Sequence, residues 1–181
     1  DPTCRRRETA RAHQTIDVDG RMLAPGFIDA HTHDDRMVLS APQMTPKVSQ
    51  GVTSVIAGNC GISLAPLIDV EPPPPLNLLG DREWFRFATV AQYMDEVERS
   101  PATVNIANLV GHSTLRAQHM DRLDRAASQA EIEHMCARID EAMDAGCIGM
   151  STGLAYPPAI NAPTAEIIAL AERVAHKGGI Y

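Results

Sequence analysis

No run of about 18 apolar residues occurs in this 181-residue chain, and the first twenty residues contain no apolar stretch of signal-peptide type. Neither a transmembrane helix nor a secretory leader is read, and a cytoplasmic setting without a membrane partner is expected. Basic residues are scarce, 16 Lys plus Arg against 23 Asp plus Glu for a net charge of −7, and they never cluster beyond Arg5-Arg6-Arg7. A nucleic-acid partner is therefore not expected. The four cysteines, Cys4, Cys60, Cys136 and Cys147, form no close pair and no C-x-x-C, which argues against a disulfide framework in a chain of this size. What is present is ordinary for a globular protein with a core: 44% hydrophobic and 22% charged residues. The chain opens on Asp1 without a methionine and closes on Gly178-Gly179-Ile180-Tyr181, which reads as the start of another strand. A fragment of a longer protein is expected.

A strand-then-helix rhythm begins at Gly26. Before it, Thr15-Ile16-Asp17-Val18 and Arg21-Met22-Leu23 flank Asp19-Gly20, a hairpin signal that assigns residues 1–25 to the end of a small amino-terminal β-portion. The first strand is read over Gly26 to Ala30, followed by a short helix with Thr45 as N-cap, Pro46 at its first position and Gly51 as its stop. Val52 to Ala57 is rich in β-branched residues and predicts a second strand. Residues 61–88, with prolines at 72–75, predict a long extended loop. A helix over Val90 to Arg99 and a third strand over Val104 to Val110, ending in Gly111-His112, come next. Ser128 and Glu131 form a capping-box pair ahead of Ile132, Met135, Cys136, Ile139 and Met143, and Gly146 ends that helix. A fourth strand over Cys147 to Ser151 and a helix over Thr164 to Lys177 follow, with Ile180-Tyr181 opening a fifth strand. Repeated βα units predict a parallel α/β sheet, and four complete units are half of a (β/α)8 TIM barrel, here spanning residues 26–181.

In such a barrel the chemistry gathers at the carboxyl ends of the strands. His31 and His33 lie there after strand one, and side chains at i and i+2 of an extended segment share a face, so both imidazoles can reach one metal ion. Cys60 ends strand two at the same rim. Imidazole and thiolate both suit Zn²⁺, which in a catalytic site keeps an open position for water. The alternatives are a polar turn for the His-X-His pair and a small buried thiol for Cys60. Asp34 and Asp35 are candidates for accepting imidazole N–H groups, or for a solvated loop pair. His112, at the end of strand three, is either a substrate-facing residue or a hydrogen-bonded structural histidine. Tyr156, in the loop after strand four, either lines an acyl or side-chain pocket or belongs to a proline-braced loop. His13, His119, His134 and His176 are given no role.

The run Pro25 to Asp35 resembles the signature of the amidohydrolase superfamily. Gly51 to Pro66 with its Gly58-Asn59-Cys60-Gly61 block, Leu109 to Arg116, and Gly149 to Pro158 resemble the D-aminoacylase (N-acyl-D-amino-acid deacylase) family, over nearly the whole chain from Ile16. The Cys60 block is the most specific part, because most amidohydrolases use a carboxylated lysine on a later strand instead. The resemblance implies a zinc-dependent hydrolase with one or two ions, held by His31, His33 and the Cys60 thiolate, that acts on small N-acyl-D-amino acids. It also implies two further histidines and a general-base aspartate beyond Tyr181, so no catalytic residue is assigned within the chain, the remainder of the barrel is needed, and the piece alone is expected to be inactive. Ser113, where the family often has glycine, is a departure of small expected effect. A cyclic-amide hydrolase of dihydroorotase or hydantoinase type shares the His-X-His pair but not the cysteine block, and a non-catalytic half-barrel is the remaining alternative.

Overall fold

The computed structural model describes residues 13–181. Cys4, the Arg5-Arg6-Arg7 run and the first part of the 1–25 segment lie outside the described residues. Asp19 and Gly20 form the expected tight turn, both at positive φ, and Arg21 N–H donates to Val18 O at 3.0 Å. The flanking residues carry no strand pairing, however, and Met22 and Leu23 stand 98% and 88% exposed. The turn chemistry is local and forms as read, whereas strands need a partner surface, and none covers these side chains among the described residues.

From Phe27 the chain builds a parallel sheet. Its strands are β1 (Phe27–Asp29), β2 (Val52–Ala57), β5 (Asn105–Gly111) and β6 (Gly149–Ser151), in that spatial order. Neighbouring strands pair at Ile28 with Ser54, Val55 with Ile106 and Val110 with Met150, and Ile180 adds a parallel bridge to Gly149. Parallel pairing of sequential strands needs crossover helices, and the α/β half-barrel sheet is the expected one. The helices are α1 (Met37–Ser40), α2 (Thr45–Val48), α3 (Val90–Arg99), α4 (His112–His119), α5 (Gln129–Asp144) and α6 (Thr164–His176). A two-residue ribbon, β3 (Leu67–Ile68) against β4 (Arg86–Phe87), completes the elements.

The core lies between the sheet and α3, α5 and α6. Val55, Val110 and Met150 enter it from the strands, Tyr93 and Val97 from α3, Met135, Ile139 and Ala142 from α5, and Leu170 and Val174 from α6. The spacing of four between Met135 and Ile139, and between Leu170 and Val174, puts each pair on one helical face. Ser128 and Glu131 close both arms of the capping box that starts α5, and Thr89 Oγ1 accepts from Gln92 N–H at 3.2 Å to start α3.

Three readings are corrected, and one helix is added that the sequence did not announce. Thr45 is the first residue of α2, not its cap; Met44 precedes the helix in the left-handed region at φ 48°, and its side chain is wholly buried, so core burial and not side-chain capping sets that start. Segment 61–88 is not a plain extended loop: besides β3 and β4 it carries 3-10 turns at Leu76–Leu78 and Arg82–Trp84, and it buries Leu67, Leu76, Leu79 and Phe85. The residues after Gly111 form α4, which no apolar periodicity announces because its buried face is largely polar. The fourth strand begins at Gly149, two residues later than Cys147.

Candidate metal centre

β1 ends at Asp29, and the chain bends at His31 and runs on through His33 without regular secondary structure. Thr32 fixes the middle of this arc by donating from both N–H (3.1 Å) and Oγ1 (2.9 Å) to Ile56 O of β2. Thr32 is buried by this while His31 and His33 on either side stay exposed on the other face, as an alternating segment requires. The two rings stand edge to face, 6.0 Å apart between centroids.

Cys60 reaches the same point from β2. Its backbone is left-handed at φ 54°, between Gly58 at 78° and Gly61 at 75°. Both glycines are needed for space as well: a Cβ on Gly58 would lie 1.9 Å from Leu109 O, and one on Gly61 would lie 2.7 Å from Gly153 N. This tight loop is tied down by Asn59 Nδ2, donating to Ile56 O at 2.8 Å, and by Ser151, whose hydroxyl donates to Gly58 O and accepts from Gly61 N–H at 2.9 Å. No periodicity in the sequence announces the tethering roles of Asn59 and Ser151.

His31 Nε2 and Cys60 Sγ lie 3.0 Å apart in a hydrogen bond, and ligand atoms of His31, His33 and Cys60 all lie within 4.8 Å of one another. With Zn–N near 2.0–2.1 Å and Zn–S near 2.3 Å, two donors on a tetrahedral ion stand about 3.5 Å apart. The His31–Cys60 pair, 3.0 Å apart, stands about 0.5 Å from that spacing, and the three ligand atoms, spread within 4.8 Å, would draw together by up to about 1.3 Å to share one ion. Partial desolvation of its ring and the neighbouring His31 hold the His33 pKa below the ordinary imidazole value despite the opposing pull of Asp34, and this lowering favours the neutral ring that ligation needs. A cavity of about 310 Å³ opens beside His31 and Cys60, walled by Asn59, Met150, Thr152 and Tyr181. Two larger depressions, each about 720 Å³, lie along the β3–β4 ribbon and beside Pro157 and Pro158, and neither contains the three ligands.

Asp34 and Asp35 are neither solvated nor bonded to the imidazoles. Asp34 pairs with Lys47 Nζ at 3.0 Å. Asp35 is 2% exposed and accepts from Gly58 N–H (3.2 Å) and Leu64 N–H (3.4 Å), bracing both sides of the Cys60 loop. Burial pushes the Asp35 carboxyl up to about 6, with those backbone bonds pulling the other way. Because its folded pKa lies above the unfolded one, its ionisation costs the native state stability. The favourable balance holds fully below about pH 4 and is gone above about pH 6, a swing on the order of 3 kcal/mol. Urea denaturation of metal-free protein is expected to show this loss in the wild type and a much flatter profile in Asp35→Asn over the same window.

His112 does not face the cavity. It is fully buried at the start of α4, with Nε2 on Glu166 Oε1 at 2.8 Å. Glu166 also receives Arg116 Nη1 at 2.6 and 2.7 Å, and Arg116 reaches Pro158 O and Arg125 O, both at 2.6 Å. These residues join α4, α6 and the loop after β6, so His112 is placed as a structural histidine. Tyr156 does not line the cavity either; it is 38% exposed, with its ring over Gly153.

Strand-end histidines and a thiol gathered at one rim of a parallel α/β sheet form a group that could hold a metal ion, at the end of the strands where barrel enzymes carry their sites. Residues 14–178 match the amidohydrolase family profile, and the chain belongs to that family. It is 54% identical over 172 residues to a D-aminoacylase of Alcaligenes xylosoxydans xylosoxydans, covering 95% of this chain and 36% of that protein. It is also 54% identical over 164 residues to an N-acyl-D-aspartate deacylase of the same organism, covering 91% and 33%. A solved D-aminoacylase, described as having a binuclear metal center, superposes with a TM-score of 0.85 at 52% identity, covering 87% of this chain and 33% of that one. An N-acyl-D-glutamate deacylase from Bordetella bronchiseptica, complexed with zinc and a phosphonate inhibitor, superposes at 0.77 with 41% identity, covering 84% and 32%. The chain thus spans about a third of the length of these relatives. Among the described residues no helix is long and apolar enough to cross a membrane.

Proposed function

We propose that this chain supplies the amino-terminal barrel units of a zinc-dependent hydrolase that deacylates N-acyl-D-amino acids. The observation that carries the reading is the convergence of His31, His33 and Cys60 within 4.8 Å. The 54% identity to D-aminoacylase and to N-acyl-D-aspartate deacylase supports the substrate class. His31 and His33 would ligate as neutral imidazoles and Cys60 as a thiolate. Zinc supplies Lewis acidity, polarising an amide carbonyl and easing deprotonation of water near neutral pH. The cavity beside His31 and Cys60, which Thr152 and Tyr181 also line, receives the scissile amide in this reading. Tyr156 packs its ring on Gly153, whose backbone also lies against the Cys60 carbonyl, and is given no substrate contact in this reading. The general-base aspartate belongs to the part of the barrel after Tyr181. Residues 26–181 form the barrel portion of this reading, with residues 1–25 before it.

The test is a side-by-side assay of a protein in which this chain continues through the remaining barrel strands. Turnover of N-acetyl-D-amino acids, with none of their L enantiomers or of hydantoin, is expected. Turnover of hydantoin with no D-deacylation contradicts the reading.

A further inference from the structure

Lys47 sits on α2, and its amine reaches two carboxylates at once: Asp29 Oδ2 at 2.7 Å and Asp34 Oδ2 at 3.0 Å. Asp29 is the last residue of β1 and Asp34 directly follows His33, so these two carboxylates bracket the His31-Thr32-His33 arc. Asp29 Oδ1 also accepts from His31 N–H at 3.5 Å. With Thr32 fixed on Ile56 O, the arc is held at its start, middle and end, and only the two imidazoles are left to project from it.

We infer that Lys47 is a positioning residue for the metal centre, drawing the two ends of the His-X-His arc together so that both imidazoles meet Cys60. A compact ammonium on a four-carbon stem suits this task, because it can share its donors between carboxylates on two parts of the backbone, whereas a guanidinium fork matches one carboxylate. The amine also offsets the repulsion between Asp29 and Asp34, which without it would spread the arc. Lys47 is half-buried against these partners, its side chain 20% exposed, and the wholly buried Met44 directly precedes α2.

The inference rests on the zinc-site reading, and its test separates the two. Zinc dissociation constants are measured by chelator competition on the purified protein and on Lys47→Met, with circular dichroism confirming the fold, and the thiolate-to-metal charge-transfer band of cobalt-loaded samples is recorded beside them. Lys47→Met is expected to bind zinc about 10- to 100-fold more weakly, the range for loss of an outer partner, and to show a weakened or shifted cobalt band. Lys47→Arg, which keeps the charge, is expected to lose less. A purely electrostatic role predicts the reverse sign, since deleting a cation beside a cation site tightens binding. A folded Lys47→Met that binds zinc as tightly as the wild type, or more tightly, overturns the inference. Should Lys47→Met not fold, Lys47→Gln carries the same decision. A wild type that binds no zinc overturns the site itself.

Discussion

Replacing Cys60 with alanine is expected to weaken zinc binding by more than about 100-fold, beyond the 10- to 100-fold typical of losing an outer partner, and to remove N-acyl-D-amino acid turnover from the completed enzyme. The thiol is one of three donors that meet within 4.8 Å, and the other two sit on a single arc. His31 and His33 alone leave a two-point site open to solvent, which zinc holds weakly compared with a set of three ligands. The loop should survive the substitution, because Gly58, Gly61, Asn59 and Ser151 hold its backbone without help from the sulfur. Metal analysis after dialysis, beside a thermal melt of the metal-free proteins, is expected to show lost zinc with a melting temperature close to that of the wild type. Full zinc retention in Cys60→Ala would remove the thiol from the site.

The largest stability effect is expected away from the metal. Glu166→Ala leaves the fully buried Arg116 guanidinium without its carboxylate and His112 Nε2 without its partner. Although burial raises the Glu166 pKa, the hydrogen bonds from His112 and Arg116 outweigh it and hold the carboxyl below its ordinary value, so it is the ionised form that the network is built around. Breaking a buried pair from one side costs about 3–5 kcal/mol, because an uncompensated charge is left behind. Urea denaturation of Glu166→Ala near neutral pH should show a loss of that size. A loss below about 1 kcal/mol would mean that Arg116 is held by the Pro158 and Arg125 carbonyls alone.

The elements that carry their own signals were readable from the sequence. β2 follows from Val52, Val55 and Ile56, α5 from its capping box and the Met135–Ile139 face, and α6 from the Leu170–Val174 face. The meeting of His31, His33 and Cys60 follows from strand alternation and from the rule that strand ends share a rim. The remainder depends on contacts between distant segments. α4 buries Ser113, Thr114 and Arg116 through hydrogen bonds to Gly61, Ser63, Pro158 and Glu166, and a helix with a polar buried face leaves no apolar period to read. Asp34 and Asp35 look like a solvated pair in the sequence, yet Lys47 and the Gly58 and Leu64 amides reach them only after folding. Glu166 lies in the first turn of α6, where a carboxylate is ordinary, and nothing local marks it as the partner of a histidine and an arginine fifty residues or more away in the chain.

X-ray absorption at the zinc edge on zinc-loaded protein tests the central claim most directly. Joint ligation by His31, His33 and Cys60 predicts one sulfur scatterer near 2.3 Å together with imidazole nitrogens near 2.0–2.1 Å, with the sulfur shell vanishing in Cys60→Ala. A first shell of nitrogen and oxygen alone in the wild type would contradict it.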